Sequence, residues 1–146
     1  MKRTAIVFLC CYIGAAAANL GSFWWGDGAA VWQFWVTAIY AAACLLCLWI
    51  SRDSLRGMRH GLIWSLAGVA GGVFCLLARQ GAAWSVIPAL ILGGSLFAPL
   101  YGVTRWVLLE DWDVFYTLMT ALSALWAAVC ALCLRRLKRR KHETEL

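Results

Sequence analysis

A chain of 146 residues has room for one domain. Its residues are 64% apolar and 14% charged, where a soluble domain holds about half and about a quarter, and a globule this small has too much surface to hide so many apolar side chains. A soluble fold is therefore excluded and a lipid-solvated one implied. The net charge of +6 is gathered into short segments between long uncharged runs, which is the pattern of membrane helices and their loops.

The apolar runs predict helices over 4–25, 30–50, 61–78, 84–109 and 114–134, in one transmembrane domain, 1–134, followed by a basic cytoplasmic tail, 135–146. Each run has the length of a membrane crossing, since roughly 20 helical residues traverse a hydrocarbon core of ~30 Å. The runs are continuous rather than alternating, which excludes the strands of a barrel. The expected fold class is all-α, a polytopic bundle of four or five transmembrane helices with short loops.

The first run follows Lys2 and Arg3 and carries the block Ala15 to Ala18. A basic start, an apolar run and small residues resemble a secretory signal peptide. The run continues to Trp25, which favours a retained helix. Gly26-Asp27-Gly28 then turns the chain into the second run, with Trp24, Trp25, Trp32 and Trp35 around the turn. An aromatic belt at a membrane interface accounts for these rings. The second run carries Ala38 and Ala42 at helical spacing and the pair Cys44 and Cys47. A basic loop over 51–60 with Arg52, Arg56 and Arg59 follows. The third run holds Gly68 and Gly72, a small-residue face of the kind that lets helix backbones approach closely.

The fourth run is the irregular one. It contains Pro88, Gly93, Gly94 and Pro99, including both prolines of the chain, and Arg105 stands just after this broken part. Proline removes a helical hydrogen bond and clashes with the preceding turn. In a membrane, a broken helix is tolerated where protein or a water-filled cavity satisfies the freed groups. These five residues are the candidate substrate or pore residues, with Arg105 expected to pair with an acid of the segment Glu110 to Asp113. The fifth run carries Ala124 and Ala128, and then Cys130 and Cys133. Directly after it come Arg135, Arg136, Lys138, Arg139, Arg140 and Lys141, a cluster expected to lie against anionic lipid at the bilayer surface.

Charge placement bears on the number of crossings. If all five runs cross, six basic residues fall on one side and seven on the other, which orients nothing. If the fourth run enters and leaves on the same side, eleven fall on the side of the tail and two, Arg79 and Arg105, on the opposite side. The second arrangement obeys the excess of Lys and Arg on cytoplasmic segments. It predicts a re-entrant fourth segment and a cytoplasmic C-terminus, and the small basic loops have the look of a bacterial cytoplasmic membrane protein. A weak repeat agrees: shifting by 86 residues aligns 27–48 with 113–134, with eight identical pairs among 22.

The cysteine pairs Cys44/Cys47 and Cys130/Cys133 each share one helix face. Thiolates at this spacing suit soft metal ions, although cysteine also packs as a small apolar residue, and no firm metal site is assigned. No catalytic constellation appears, so an enzyme is not expected, nor is a cofactor or a nucleic-acid partner. The expected partners are the lipid bilayer and either further copies of the chain or a larger membrane complex. The expected function is that of a small transporter or channel subunit. The alternatives are an accessory subunit that stabilises or regulates a larger membrane complex, and thiol or soft-metal handling.

Overall fold

The computed structural model describes residues 2–107 and 111–144. Among them every regular element is helical, with no strand. Three long regular helices, α1 (Lys2–Trp25), α2 (Val31–Ser51) and α3 (Leu55–Arg79), precede an irregular helical segment, α4 (Ala83–Val103, continued by Thr104–Val107). A long helix, α5 (Trp112–Thr144), closes the chain. Each of the five is long and apolar enough to cross a membrane.

Local chemistry sets the breaks between them. Gly26 sits at φ 72° between α1 and α2, a conformation that costs a residue with a Cβ energy and costs glycine nothing. Gly81, at φ 91°, ends α3 in the same way. Its N–H donates to the carbonyl of Ala78 at 3.1 Å, and that of Ala82 donates to Leu77 at 3.0 Å, so two of the last carbonyls of α3 are satisfied. At the start of α3 the Ser54 hydroxyl accepts from the Gly57 N–H at 3.2 Å.

Helices α3 and α5 are antiparallel and closely packed. A Cβ placed on Gly61 would lie 3.1 Å from the Cys130 sulfur, and one on Gly68 would lie 3.1 Å from the Ser123 Cβ. Gly72 lies against Thr120 in the same manner, and Arg79 pairs with Asp113. Each step up α3 is thus matched by an equal step down α5. Gly68 and Gly72, expected as a packing face, serve a contact inside the chain.

The far ends of α1 and α3 meet the beginning of α5 around one cavity, which Trp24, Trp25, Ala78, Arg79 and Trp112 help to line. This is the tryptophan end of the bundle. The opposite, basic end carries the loop between α2 and α3 and the tail of α5. Helices α2 and α5 accordingly run in the same direction.

Segment α4 wedges between the α1–α2 hairpin and the α3–α5 pair, and half of its membrane-length window is buried, against 28% or less in each of the other four. Its first limb descends α3 from the tryptophan end: Ala89 and Gly93 lie on Cys75, and Leu92 lies on Gly71. Deeper still, the Ser95 carbonyl accepts from the Tyr12 hydroxyl at 2.7 Å. The second limb climbs back. The Pro99 carbonyl faces Asn19 and Thr37, Gly102 meets Gln33, and the Tyr101 hydroxyl donates to the Asp27 carbonyl at 3.1 Å. A straight helix of 21 residues would be ~30 Å long and would put Val103 at the basic end. Instead Tyr101 stacks on Trp112 with ring centroids 5.4 Å apart. Both ends of α4 therefore lie at the tryptophan end.

The two prolines explain the irregularity. Pro88 lacks the N–H that would close a regular turn, and the widened turn Ala89–Gly93 follows it. Pro99 stands near the start of the tightened turns Ala98–Val103. Around the returning limb Phe23, Phe97, Tyr101, Phe115 and Met119 form the buried core. Its rings meet mostly edge to face, as Phe23 does with Tyr101 at 5.7 Å, the arrangement that ring quadrupoles favour.

Candidate functional site

The broken segment brings together four of the five residues singled out for it. Gly93 is buried against Cys75, Gly94 is buried with Trp24 at 3.5 Å from a Cβ built there, and Pro99 is fully buried. Pro88 is half-buried on the descending limb. Arg105 stands apart, exposed just beyond the returning limb. It makes no ion pair among the described residues, and Asp113, one of the acids expected for it, pairs with Arg79 instead. The antiparallel register of α3 and α5 is the reason, because it sets the last turn of one beside the first turn of the other. Of the other two acids of that segment, Asp111 accepts from the Asp113 N–H at 2.8 Å and Glu110 lies outside the described residues.

Beside Pro99 runs a polar seam that the pattern of single helices does not reveal. The Asn19 amide donates to the Ala15 carbonyl at 2.9 Å, to the Thr37 hydroxyl at 3.1 Å and to the Pro99 carbonyl at 3.4 Å. Thr37 also donates to the Pro99 carbonyl at 3.1 Å. One turn nearer the tryptophan end, the Gln33 amide donates to the Ala18 carbonyl at 2.7 Å and to the Ser22 hydroxyl at 2.9 Å, and its oxygen accepts from the Ala30 N–H at 2.6 Å. The three buried polar side chains therefore join α1, α2 and the returning limb of α4. Asn19 is fully buried, yet its Oδ1 has no partner among the described residues, which leaves an acceptor free for a cation or a hydrogen-bond donor. The signal in the sequence was present: an Asn, a Gln and a Thr inside otherwise apolar runs.

Two further features frame the seam. Toward the tryptophan end lies a cavity of about 420 Å³ between α1, α3, the descending limb of α4 and α5. Phe23, Trp24, Trp25, Trp112 and Tyr116 line it, with Arg79 at its rim. Toward the basic end, Tyr12 contacts Tyr40 and Trp64 with ring centroids 6.1 and 5.9 Å away, forming a floor under the tip of α4. The Arg79–Asp113 pair at the rim is about half exposed on both sides, so solvent screens it. Asp113→Asn is expected to lower stability by no more than ~1 kcal/mol, read as a small shift in the detergent unfolding midpoint.

The other predicted residues fall into separate groups. Cys130 is buried against Gly61, while Cys44, Cys47 and Cys133 are half-buried. No three of the His, Cys, Asp and Glu side chains come together to hold a metal ion among the described residues. Ala38 is half-buried, whereas Ala42, Ala124 and Ala128 face outward. Arg135, Arg136, Lys138, Arg139 and Arg140 are exposed on a helix that carries straight on through the predicted tail, with Lys141 in its backbone.

No known family model matches the chain, and comparison with the curated proteins and with the solved structures also finds no match.

Proposed function

We propose that this chain is a small transporter or channel subunit in which α1, α2, α3 and α5 cross a membrane. Segment α4 enters from the non-cytoplasmic side and returns to it. The observation that carries the reading is the folded-back α4, whose kink carbonyl, at Pro99, is held by buried polar side chains. A packing protein in lipid has no need of a half-crossing segment. Irregular backbone at membrane depth is tolerated where protein or a water-filled cavity satisfies its freed groups, and the Oδ1 of Asn19 beside the kink, without a partner among the described residues, is a group a site there would use. With α4 re-entrant, the basic end faces the cytoplasm in accordance with its Lys and Arg excess.

Side-specific reporters at Ser54, Gln80, Asp111 and the C-terminus test the layout. Ser54 and the C-terminus are expected on one side, with Gln80 and Asp111 together on the other. Opposite sides for Gln80 and Asp111 would mean that α4 crosses, and the proposal would fall. Ion flux from proteoliposomes holding sodium, potassium and chloride then tests the activity.

A second reading, an accessory subunit of a larger membrane complex, is favoured by the outward-facing Ala42, Ala124 and Ala128. Small residues on a lipid-facing surface leave room for another helix. Absence of flux together with a partner that co-purifies in fixed ratio, and is lost on Ala124→Leu or Ala128→Leu, would decide for it.

A further inference from the structure

The cavity at the tryptophan end holds about 420 Å³, within the range of sites that enclose small organic molecules. Its lining is rich in rings. Phe23, Trp24 and Trp25 come from the end of α1, and Trp112 and Tyr116 from the start of α5. The two sets touch. Phe23 and Trp112 lie 5.6 Å apart by ring centroid, and a Cβ on Gly26, also in the lining, would stand 3.7 Å from the Trp112 ring. Arg79 is the one charged side chain among the described lining residues, and its partner Asp113 neutralises it. Asp27 directly follows Gly26, and Asp111 directly precedes Trp112. Each is thus one peptide, ~3.8 Å between Cα atoms, from a lining residue. Both are exposed, and neither makes an ion pair among the described residues.

We propose that this cavity binds an organic cation with an apolar, ring-bearing body. The faces of aromatic rings are negative, so they attract a cation and repel an anion. The carboxylates of Asp27 and Asp111 beside the cavity add a field of the same sign. A small inorganic ion would find no set of oxygen ligands among the rings and would keep its water. A lipid acyl chain would fill the space but would be indifferent to the charges around it. As a substrate class the organic cation rests on the transporter reading, whereas its binding rests on the cavity alone.

Equilibrium dialysis of the full chain in a nonionic detergent tests the site, with binding counted in excess of protein-free micelles. The probes are tetraphenylphosphonium and tetraphenylborate, nearly equal in shape and opposite in charge. The cation is expected to bind saturably and the anion at least about tenfold more weakly. Trp24→Leu should weaken cation binding about tenfold, and Trp24→Phe, which keeps a ring, should restore most of it. Arg79→Gln and Asp113→Asn break the same ion pair, so a merely structural effect would move both the same way. Here they should move apart: cation affinity rises by up to about fivefold in Arg79→Gln and falls by a similar factor in Asp113→Asn. Equal binding of the two probes, or a shift in the same direction in both charge variants, would overturn the proposal. Saturable binding without uptake of tetraphenylphosphonium into proteoliposomes would uphold the site and count against transport alone.

Discussion

Replacing Gly102 by alanine is expected to dislodge the returning limb of α4. A Cβ at this position would run into the Gln33 carbonyl oxygen, lie 2.7 Å from the Gln33 carbonyl carbon and strike the Thr37 hydroxyl. Two of those three atoms are backbone in the first turns of α2, so no rotamer change relieves them. Either α2 moves away from α4 or the limb lifts out of its groove. Overpacking of this kind costs ~1–3 kcal/mol, and the backbone contact places Gly102→Ala at the upper end. Glycines at 14 and 21 supply the control, since a Cβ there meets nothing within 4 Å. Both lie inside α1, where alanine is favoured over glycine by up to ~1 kcal/mol. Unfolding in a denaturing detergent should therefore separate the variants by sign: Gly102→Ala weaker, Gly14→Ala and Gly21→Ala equal or stronger. If Gly102→Ala matched Gly21→Ala, the close approach of α4 to α2 would be wrong, and with it the path of the returning limb.

The broken segment was legible because proline and glycine act on their own backbone, whatever surrounds them. Pro88 and Pro99 mark the widened and the tightened turns from the missing N–H alone. The chain reversal was legible only indirectly, through the charge balance that a straight fourth helix upsets. What a single helix's pattern does not contain is the register between helices. That register gave Asp113 to Arg79 rather than to Arg105, and it set Asn19 and Thr37 on one carbonyl 80 and 62 residues away. The end of the last helix was also not legible. Hydropathy stops at Leu134, yet α5 runs to Thr144, because Arg and Lys are good helix formers and no glycine or proline follows to stop them. The small-residue spacing marked Gly68, Gly72, Ala124 and Ala128 alike. Only the fold separates them, turning the glycines toward α5 and the alanines outward.

The seam at Asn19 should be sensitive to loss of its polar groups, and the two partners of the Pro99 carbonyl should not act independently. Asn19→Leu keeps the number and branching of the side-chain heavy atoms but removes an amide that donates to three oxygens on three elements. Thr37→Val removes one donor to Pro99 and the acceptor of the Asn19 bond. Polar contacts between membrane helices average ~0.6 kcal/mol and reach ~1.7 kcal/mol, so Thr37→Val is expected to cost about 1 kcal/mol and Asn19→Leu about 2 kcal/mol on that scale. The carbonyl retains one donor in either single variant and loses both in the double. A buried acceptor left without a partner costs more than the bond that satisfied it. The double variant should therefore cost more than the two singles combined, with a coupling of about 0.5 kcal/mol or larger, measured from unfolding midpoints of all four proteins. Strict additivity would mean that Asn19 and Thr37 do not meet at Pro99. Under the transport reading the same variants carry a second signature. Thr37→Val leaves the Asn19 Oδ1 in place, whereas Asn19→Leu removes it, so flux should fall far more in the second variant than their modest difference in stability predicts. Equal flux in the two would assign the seam to holding α4 and to nothing beyond that.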